Sequence, residues 1–392
     1  MAAPIIVPAS VEDWREKARR RLPRFFFDFI DGAANDEQTL HRNVADFAEV
    51  ILRQRVLRDV SQITTATSLF GTSATFPLAL APVGMTGLFA RRGEVLAKRA
   101  ADEAGVPYTL STMSICSMEE VARVSSVPFW FQLYMLRDRG IVREMLQRAW
   151  GLGVRTLVFT VDLAVTGKRR RDIRNGIAGG TSRWGRIRAV PLATLAAPVW
   201  ACDVGLRGRP LTFGNIEAYV PGAADQAGIR AWGAQQMDSS VTWADIEWLR
   251  SIWGGTLVIK GVLDAGDARM AVDVGAQGIV VSNHGGRQLD GVASSISALP
   301  RTVEAVAGRA EILIDGGVRG GADLLRALAL GASGAMIGRP YAFAVAGGGE
   351  AGVRSLLAAM HAELSAAMAL CGVAGRASID AACIEEFPRK WR

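Results

Sequence analysis

The chain has 392 residues, half of them hydrophobic and 21% charged, with 45 Lys and Arg against 38 Asp and Glu for a formal charge of +7. This composition supports a packed core and excludes disorder as the default, while the modest positive excess favours anionic ligands or an acidic membrane surface and does not by itself indicate nucleic acid. Cys116, Cys202, Cys371 and Cys383 form no CxxC pair, which argues against a zinc site of the usual spacing and against a disulfide framework, so no metal is expected.

In chain order, Val11–Arg21 and Arg24–Ala33 read as helices within a segment, residues 1–75, that lies outside the repeating pattern. The bland reading of that segment is a helical cap across the bottom of a barrel. From residue 76 short apolar runs recur: Phe76–Ala81, Pro107–Leu110, Phe129–Leu133, Thr156–Thr160, Leu257–Ile259, Gly278–Val281, Glu311–Ile314 and Ala335–Ile337. They are unbroken rather than alternating, as strands buried on both faces should be. Helical patterns lie between them at Glu94–Ala104, Ser117–Val124, Arg139–Trp150, Ala265–Val274, Leu299–Ala307 and Gly321–Leu330. Such βα units predict an α/β fold, a (β/α)8 TIM barrel with an N-terminal helical extension. About 95 residues separate the fourth run from the fifth, and an insertion of that length is usually a lid or binding loop. The division expected is one domain over 1–392, with the extension at 1–75, the barrel at 76–345, the insertion at 163–255 and C-terminal helices and tail at 346–392.

In this architecture chemistry gathers where strands end. The run ends supply Pro82-Val83-Gly84, Ser111, Gln132 with Tyr134, Thr160 with Asp162, Lys260, Ser282 with His284 and Arg287, Asp315-Gly316-Gly317 with Arg319, and Gly338-Arg339. One or two such residues would be chance; this many is not. The last two loops match the phosphate site common to the fold, in which glycines admit backbone N–H groups to an anion and arginines grip it. His284, one of only three histidines, suits a general base, with Asp162 placed to hold its ring. Lys260 ends a buried run and needs an anionic partner; a Schiff base, as in an aldolase, and charge compensation for an anionic cofactor are both open.

Other signals are weaker. Gly347–Gly352 matches GxGxxG but lacks its own βαβ unit, so it reads as a turn into the last helix. Within the basic run Lys168–Arg171, one arginine is expected to turn inward and the rest to face solvent. Nothing in it suggests nucleic acid. The run Pro191–Cys202 spans 12 residues, too short to cross a bilayer, and the N-terminus lacks the order of a signal peptide, so a soluble or peripherally attached intracellular protein is expected.

With the run Ser282-Asn283-His284-Gly285-Gly286-Arg287-Gln288-Leu289-Asp290, the chain resembles the FMN-dependent L-2-hydroxy acid dehydrogenases and oxidases over nearly its whole length. It looks most like the respiratory L-lactate dehydrogenase branch, sharing Leu52-Arg53-Gln54-Arg55, Phe131-Gln132-Leu133-Tyr134 and Asp203-Val204-Gly205-Leu206. The resemblance implies FMN as cofactor and oxidation of a 2-hydroxy acid to the 2-keto acid. His284 would take the proton, paired with Asp162. Arg287 and Arg169 would hold the substrate carboxylate and Tyr134 the substrate oxygen. Lys260 would stabilise negative charge on the reduced flavin. Pro82, Val83, Gly84, Ser111, Gln132, Thr160 and Ser282 would line the flavin. Asp315, Gly317 and Arg319 would meet the ribityl and phosphate, with Gly338 and Arg339 closing on the phosphate.

The resemblance departs at Phe29, where the family usually carries a tyrosine whose hydroxyl reaches the substrate carboxylate. The stretch Leu163-Ala164-Val165-Thr166-Gly167 looks more like (S)-mandelate dehydrogenase, and with Gly84 and Met113 bears on pocket size. L-lactate is therefore expected first, with (S)-mandelate or another bulky acid as the alternative. An oxidase using O2 is a further alternative, and a flavin-binding scaffold without turnover is suggested by Phe29 alone. The resemblance also implies a quinone or other membrane electron acceptor, a homo-oligomer (a tetramer by analogy), and a cytoplasmic location on the inner face of the membrane. Segment 183–204, with Arg183, Arg186 and Arg188 beside an apolar stretch holding Trp200, is the expected point of peripheral membrane contact.

Overall fold

The computed structural model describes residues 7–176, 194–222, 226–386, 388 and 391. Its centre is a sheet of parallel strands, β1 (Leu78–Leu80), β2 (Thr109–Ser111), β3 (Trp130–Leu133), β4 (Thr156–Thr160), β5 (Thr256–Val262), β6 (Gly278–Val281), β7 (Glu311–Asp315) and β8 (Gly334–Ile337). From β2 to β8 each pairs with its neighbour in sequence, and β8 pairs with β1. A parallel bridge from Leu80 to Tyr108 closes the ring between β1 and β2. The expected barrel is therefore observed. Its strands are short and almost wholly buried, as the unbroken apolar runs require.

Helices on the outside cover those strands, including Gly93–Glu103, Arg139–Gly151, Ala265–Asp273 and Gly321–Ala329. The helix expected at Leu299–Ala307 starts instead at Ser295. There the Ser294 side chain caps it by accepting the Ser297 N–H, and Pro300 sits within the helix. The glycine run at 347–352 makes the expected turn into the last helix: Gly349, with φ of 61° and ψ of −145°, is non-helical and divides the segment Arg339–Leu370 into two helices. A Cβ on Gly348 would come within 2.8 Å of the Trp14 ring, so these glycines let the N-terminal helix pack closely.

The N-terminal extension needs the largest correction. Helix α1 (Val11–Arg21), opened by a Ser10/Asp13 capping box, packs on that last helix. Helices α2 (Arg24–Asp31) and α3 (Gln38–Ala48) do not cap the bottom: they bond to the loops after β6 and β8, at the C-terminal ends of the strands. The bottom is closed by a hairpin, Thr67–Leu69 with Thr72–Ala74. Its Leu69, Phe70 and Ala74 join Trp130, Val158, Val258, Val280, Leu313 and Met336 in an apolar cluster along the barrel axis.

In the insertion, helices Arg170–Arg174, Gln226–Gln236 and Trp243–Ile252 are formed, with a short helical stretch at 198–206. Arg183, Arg186 and Arg188 lie outside the described residues. Trp200 does not face outward as an interfacial anchor would. It is buried against Phe25 and Phe26, and its Nε1 donates to the Leu88 carbonyl at 2.7 Å. Leu195, Val199 and Leu206 beside it are exposed. Among the described residues no helix is long and apolar enough to cross a membrane.

Candidate active site

A cavity of about 530 Å³ opens at the C-terminal end of the barrel. Of the residues singled out from sequence, Phe29, Pro82, Val83, Gly84, Ser111, Tyr134, Thr166 and Arg169 line it on one side. Lys260, His284, Arg287, Asp315, Gly317, Arg319, Gly338 and Arg339 line it as well. Asp162, Gln132, Thr160 and Ser282 stand directly behind that wall, each tied to or paired beside a lining residue.

The loop after β6 shows why its sequence is so particular. Its backbone is left-handed at His284, Gly285 and Gly286, with φ of 57°, 63° and 77°. Such a conformation is costly for a residue with a side chain, as at His284. A Cβ at Gly285 would lie 2.5 Å from an Arg339 nitrogen, and one at Gly286 would lie 2.7 Å from the Leu40 nitrogen. Asn283 is clasped by Asn43 of α3 through two reciprocal 2.7 Å amide bonds. Asp290 accepts from the backbone N–H groups of Asp36 and Thr39, at 3.1 and 2.8 Å, and so caps α3, which has no cap of its own. Gln288 donates to the Asp162 carbonyl at 2.8 Å.

Within this frame His284 Nδ1 lies 2.8 Å from Asp162 Oδ1, and the His284 N–H donates to Ser282 Oγ at 3.0 Å. Burial pushes the Asp162 carboxyl up, but His284 and Lys260 outweigh it and hold the group below its ordinary value. The bond fixes the ring so that Nε2 remains for chemistry. Burial and the nearby Asp162 charge push the Tyr134 phenol up, so Tyr134 stays a hydrogen-bond donor.

Lys260 Nζ bridges Asp315 Oδ2 at 2.7 Å and Ser282 Oγ at 3.0 Å, all three residues buried. Burial alone would lower the Lys260 pKa, but Asp315 and Asp162 raise it above its ordinary value. An ammonium held between Asp315 and Ser282 is a poor nucleophile, so the structure favours charge compensation over the Schiff-base alternative.

The arginines are short of anions. Arg287 Nη1 donates to the carbonyls of Phe29 and Gly32 at 2.6 and 3.0 Å, and Arg339 bonds the carbonyls of Ile30, Gly285 and Gly32 at 2.7–2.9 Å. All but that of Gly285 are C-terminal carbonyls of α2 and its exit, the negative end of a helix. Burial, then the neighbouring cations Arg169 and Arg339, drive the Arg287 pKa well down. Burial and Arg319 push Arg339 down to about 9. Arg319 donates to its own neighbour's carbonyl, that of Val318, at 3.0 Å. Cations crowded in this way are relieved by a bound anion.

A flavin nucleotide fits this wall. Gln132 Nε2, Thr160 Oγ1 and Asp315 Oδ1 are buried with no hydrogen-bond partner among the described residues. Buried polar groups are normally satisfied, so their position asks for a polar ligand at the strand ends. Gly316 and Gly317 have φ of 85° and 109°, and a Cβ at Gly317 would lie 2.0 Å from the Asn43 carbonyl oxygen. These glycines are thus required by the approach of α3 as well as by any anion.

Two features were not legible in the sequence. Phe213, Gly233, Ala234 and Met237 of the insertion line the cavity, with Met85 and Phe89, beside Met113 and Leu163, which the sequence marks. No local motif marks the insertion residues; the pattern that could have found them is only the weak apolar face of Gln226–Gln236. The expectation for Lys168–Arg171 also needs correction. Arg169 does turn inward, but Arg171 is half-buried too, because Asp31 and Glu37 bind it, and Arg170 alone of these arginines is largely in solvent.

A family model described as FMN-dependent dehydrogenase matches residues 18–386. An L-lactate dehydrogenase of Caulobacter vibrioides is 51% identical over 385 residues, 98% of this chain and all of the relative. One of Yersinia pestis is 49% identical over 376 residues, 96% of this chain and 97% of the relative. Among solved structures, the monotopic membrane protein (S)-mandelate dehydrogenase superposes with a TM-score of 0.90 at 33% identity, covering 97% of this chain and all of that one. A mandelate oxidase bound to (S)-4-hydroxymandelic acid gives a TM-score of 0.80 at 38% identity, covering 95% of this chain and 97% of that one.

Proposed function

The chain belongs to the FMN-dependent dehydrogenase family, and from that premise we propose that it oxidises an L-2-hydroxy acid, L-lactate foremost, to the 2-keto acid. The observation that carries the assignment of roles is the 2.8 Å His284–Asp162 bond facing a cavity walled by Arg169, Arg287 and Tyr134.

In this reading Arg169 and Arg287 bind the substrate carboxylate, a task suited to planar guanidiniums that present paired N–H donors, and the carboxylate in turn favours their charged form. Tyr134 donates to the substrate oxygen. His284 Nε2 accepts the substrate proton, and Asp162 steadies the imidazolium that results. FMN, when bound, supplies the two-electron acceptor that no side chain provides. Arg319 and Arg339, with Gly317 and Gly338, would hold its phosphate, and Asp315 its ribityl chain. Pro82, Val83, Gly84, Ser111, Gln132, Thr160 and Ser282 would line its ring, and the Lys260 ammonium would neutralise charge there.

The two electrons are proposed to pass to a quinone or another membrane acceptor, with the protein peripheral at the inner face of the membrane as a homo-oligomer, a tetramer by analogy, each chain folded as one domain over 1–392. Exposed Leu195, Val199 and Leu206, and a solved relative called a monotopic membrane protein, support a membrane surface as the place of that transfer.

A bulkier acid is a second reading, favoured by one observation. Phe29 brings no hydroxyl to the cavity, and Met85, Phe89, Met113, Leu163, Phe213 and Met237 give its wall an apolar side. The anaerobic visible spectrum of the purified protein, before and after L-lactate, tests both. Bleaching of the flavin band with L-lactate supports the first reading. Bleaching only with (S)-mandelate moves the substrate to the second. A yellow protein that neither acid bleaches refutes both and leaves a binding scaffold.

A further inference from the structure

Asp31 is a buried carboxylate outside the catalytic set, and it collects two arginines. Arg15 of α1 reaches it through two nitrogens, at 2.5 and 2.9 Å, and Arg171 of the insertion reaches it at 2.7 Å. Arg171 also pairs with Glu37, whose other oxygen accepts the Ala33 N–H at 3.0 Å. The stem of Arg171 covers Gly32, where a Cβ would lie 3.2 Å from its Cδ. The carbonyl of that same Gly32 takes hydrogen bonds from Arg287 and Arg339.

The short helix Arg170–Arg174 is thus held to segment 28–37 along its length. Asn175 donates to Asp28 at 2.7 Å, Arg170 pairs with Asp36, and the Asn35 N–H donates to the Lys168 carbonyl at 2.8 Å. Arg169 is the member of this run that turns the other way. Its guanidinium lies over the Phe29 ring at 5.9 Å, with Arg287 over the same ring at 4.8 Å. So one segment, Phe29–Gly32, sets the carbonyls that aim Arg287 and, through Asp31 and Arg171, the backbone that aims Arg169.

We propose that Asp31 and Arg171 are positioning residues for substrate recognition: their ion pair latches the insertion to α2 and holds Arg169 and Arg287 at the spacing that grips a carboxylate. This inference rests on the reading of Arg169 and Arg287 as carboxylate ligands. A fork-shaped guanidinium is needed because Arg171 serves Asp31 and Glu37 at once, which a lysine ammonium cannot do with the same geometry.

The test uses flavin-loaded Arg171→Lys and Asp31→Asn. Arg171→Lys keeps the charge, so a merely structural ion pair would be largely rescued by it. With a positioning role, KM for L-lactate and the Kd of oxalate, an unreactive carboxylate read from the flavin spectrum, both rise about tenfold, as for loss of one well-aimed charged hydrogen bond. In that case kcat stays within about threefold and the ratio of flavin to protein is unchanged. Arg170→Ala, which removes only the rim pair with Asp36, leaves both constants alone. Values of KM and Kd within about twofold of wild type in both variants overturn the latch.

If one variant does not fold, the other decides by the same numbers. If neither folds, amide exchange in the wild type decides: protection of 168–176 that rises with oxalate supports the latch, and unchanged protection refutes it. Should the wild type itself fail to bind oxalate, the carboxylate reading falls. The latch is then judged by amide exchange across 168–176, faster in Arg171→Lys if it exists and unchanged if it does not.

Discussion

The two ends of the barrel are built from the same eight strands and have opposite chemistry. At the N-terminal end the axis is filled by Phe70, Trp130, Val158, Val258 and Val280, and the polar groups there serve the hairpin that plugs it. The Phe70 N–H donates to Glu311 at 2.8 Å and Trp130 Nε1 to Thr72 at 3.0 Å. At the C-terminal end the wall holds Lys260, Arg169, Arg287, Arg319 and Arg339 around a cavity, and carbonyls of α2 and its exit are the main acceptors of Arg287 and Arg339. The contrast teaches a division of labour: one end is filled by its own side chains, and the other leaves its cations around an open cavity that suits an anion.

That division predicts that substitutions at the two ends separate turnover from stability. The largest effect belongs to His284→Asn. Loss of a general base costs about 10²–10⁴-fold in kcat, and the thermal midpoint and flavin content should be unchanged. Comparable loss of Tm would show that the loop after β6 is structural rather than catalytic.

Phe70→Ala is the converse. Its ring packs on Trp130 with centroids 5.3 Å apart and meets the position a Cβ would take on Gly278, at 2.3 Å. Removing it should cost about 3–5 kcal/mol of unfolding free energy, with kcat and KM of the folded enzyme unaltered. Urea unfolding followed alongside lactate turnover would check this, and a changed KM would couple the two ends.

How much of this contrast was visible in the sequence depends on the distance over which a contact acts. The strands were legible because a parallel strand buried on both faces reads as a continuous apolar run, and the catalytic set because each member stands just after such a run. The role of the N-terminal extension was not. Asp290 caps α3 from 251 residues away, and Arg287 seeks the carbonyl of Phe29 from 258 away. Neither partner carries a local pattern that names the other. Arg171 was missed for the same reason: a basic run reads as solvated until its acids, Asp31 and Glu37, are brought beside it. The hairpin was hidden by its brevity, three residues a strand.

A smaller effect sharpens the comparison at the cavity itself. Phe29→Tyr restores a hydroxyl where the family usually has one, beside Arg169 and Arg287. One added hydrogen bond to a charged group is worth about 1.5–3 kcal/mol, so kcat/KM for L-lactate should rise by about tenfold to a hundredfold, with less gain for (S)-mandelate. An unchanged ratio between the two acids would show that Phe29 does not set the preference.

The smallest effect is the pH dependence of stability, and here the two ends have opposite signs. Burial pushes the Asp31 carboxyl up, but Arg15 and Arg171 outweigh it and hold the folded value below the ordinary one. Its contribution is therefore fully present above the ordinary aspartate pKa of about 3.9 and lost as pH falls through the lowered folded value. Glu311, beneath the hairpin, is raised by burial despite the Phe70 N–H. Its contribution is fully present below the ordinary glutamate pKa of about 4.3 and lost as pH rises through the raised folded value. Between about pH 6 and pH 2, Asp31→Asn should therefore lose less stability on acidification than the wild type, and Glu311→Gln should lose more. Urea midpoints measured across that range give both slopes, and slopes of the same sign would mean that the acid limb is governed by charges common to both ends, because a cation pair and a desolvated acid cannot shift it in the same direction.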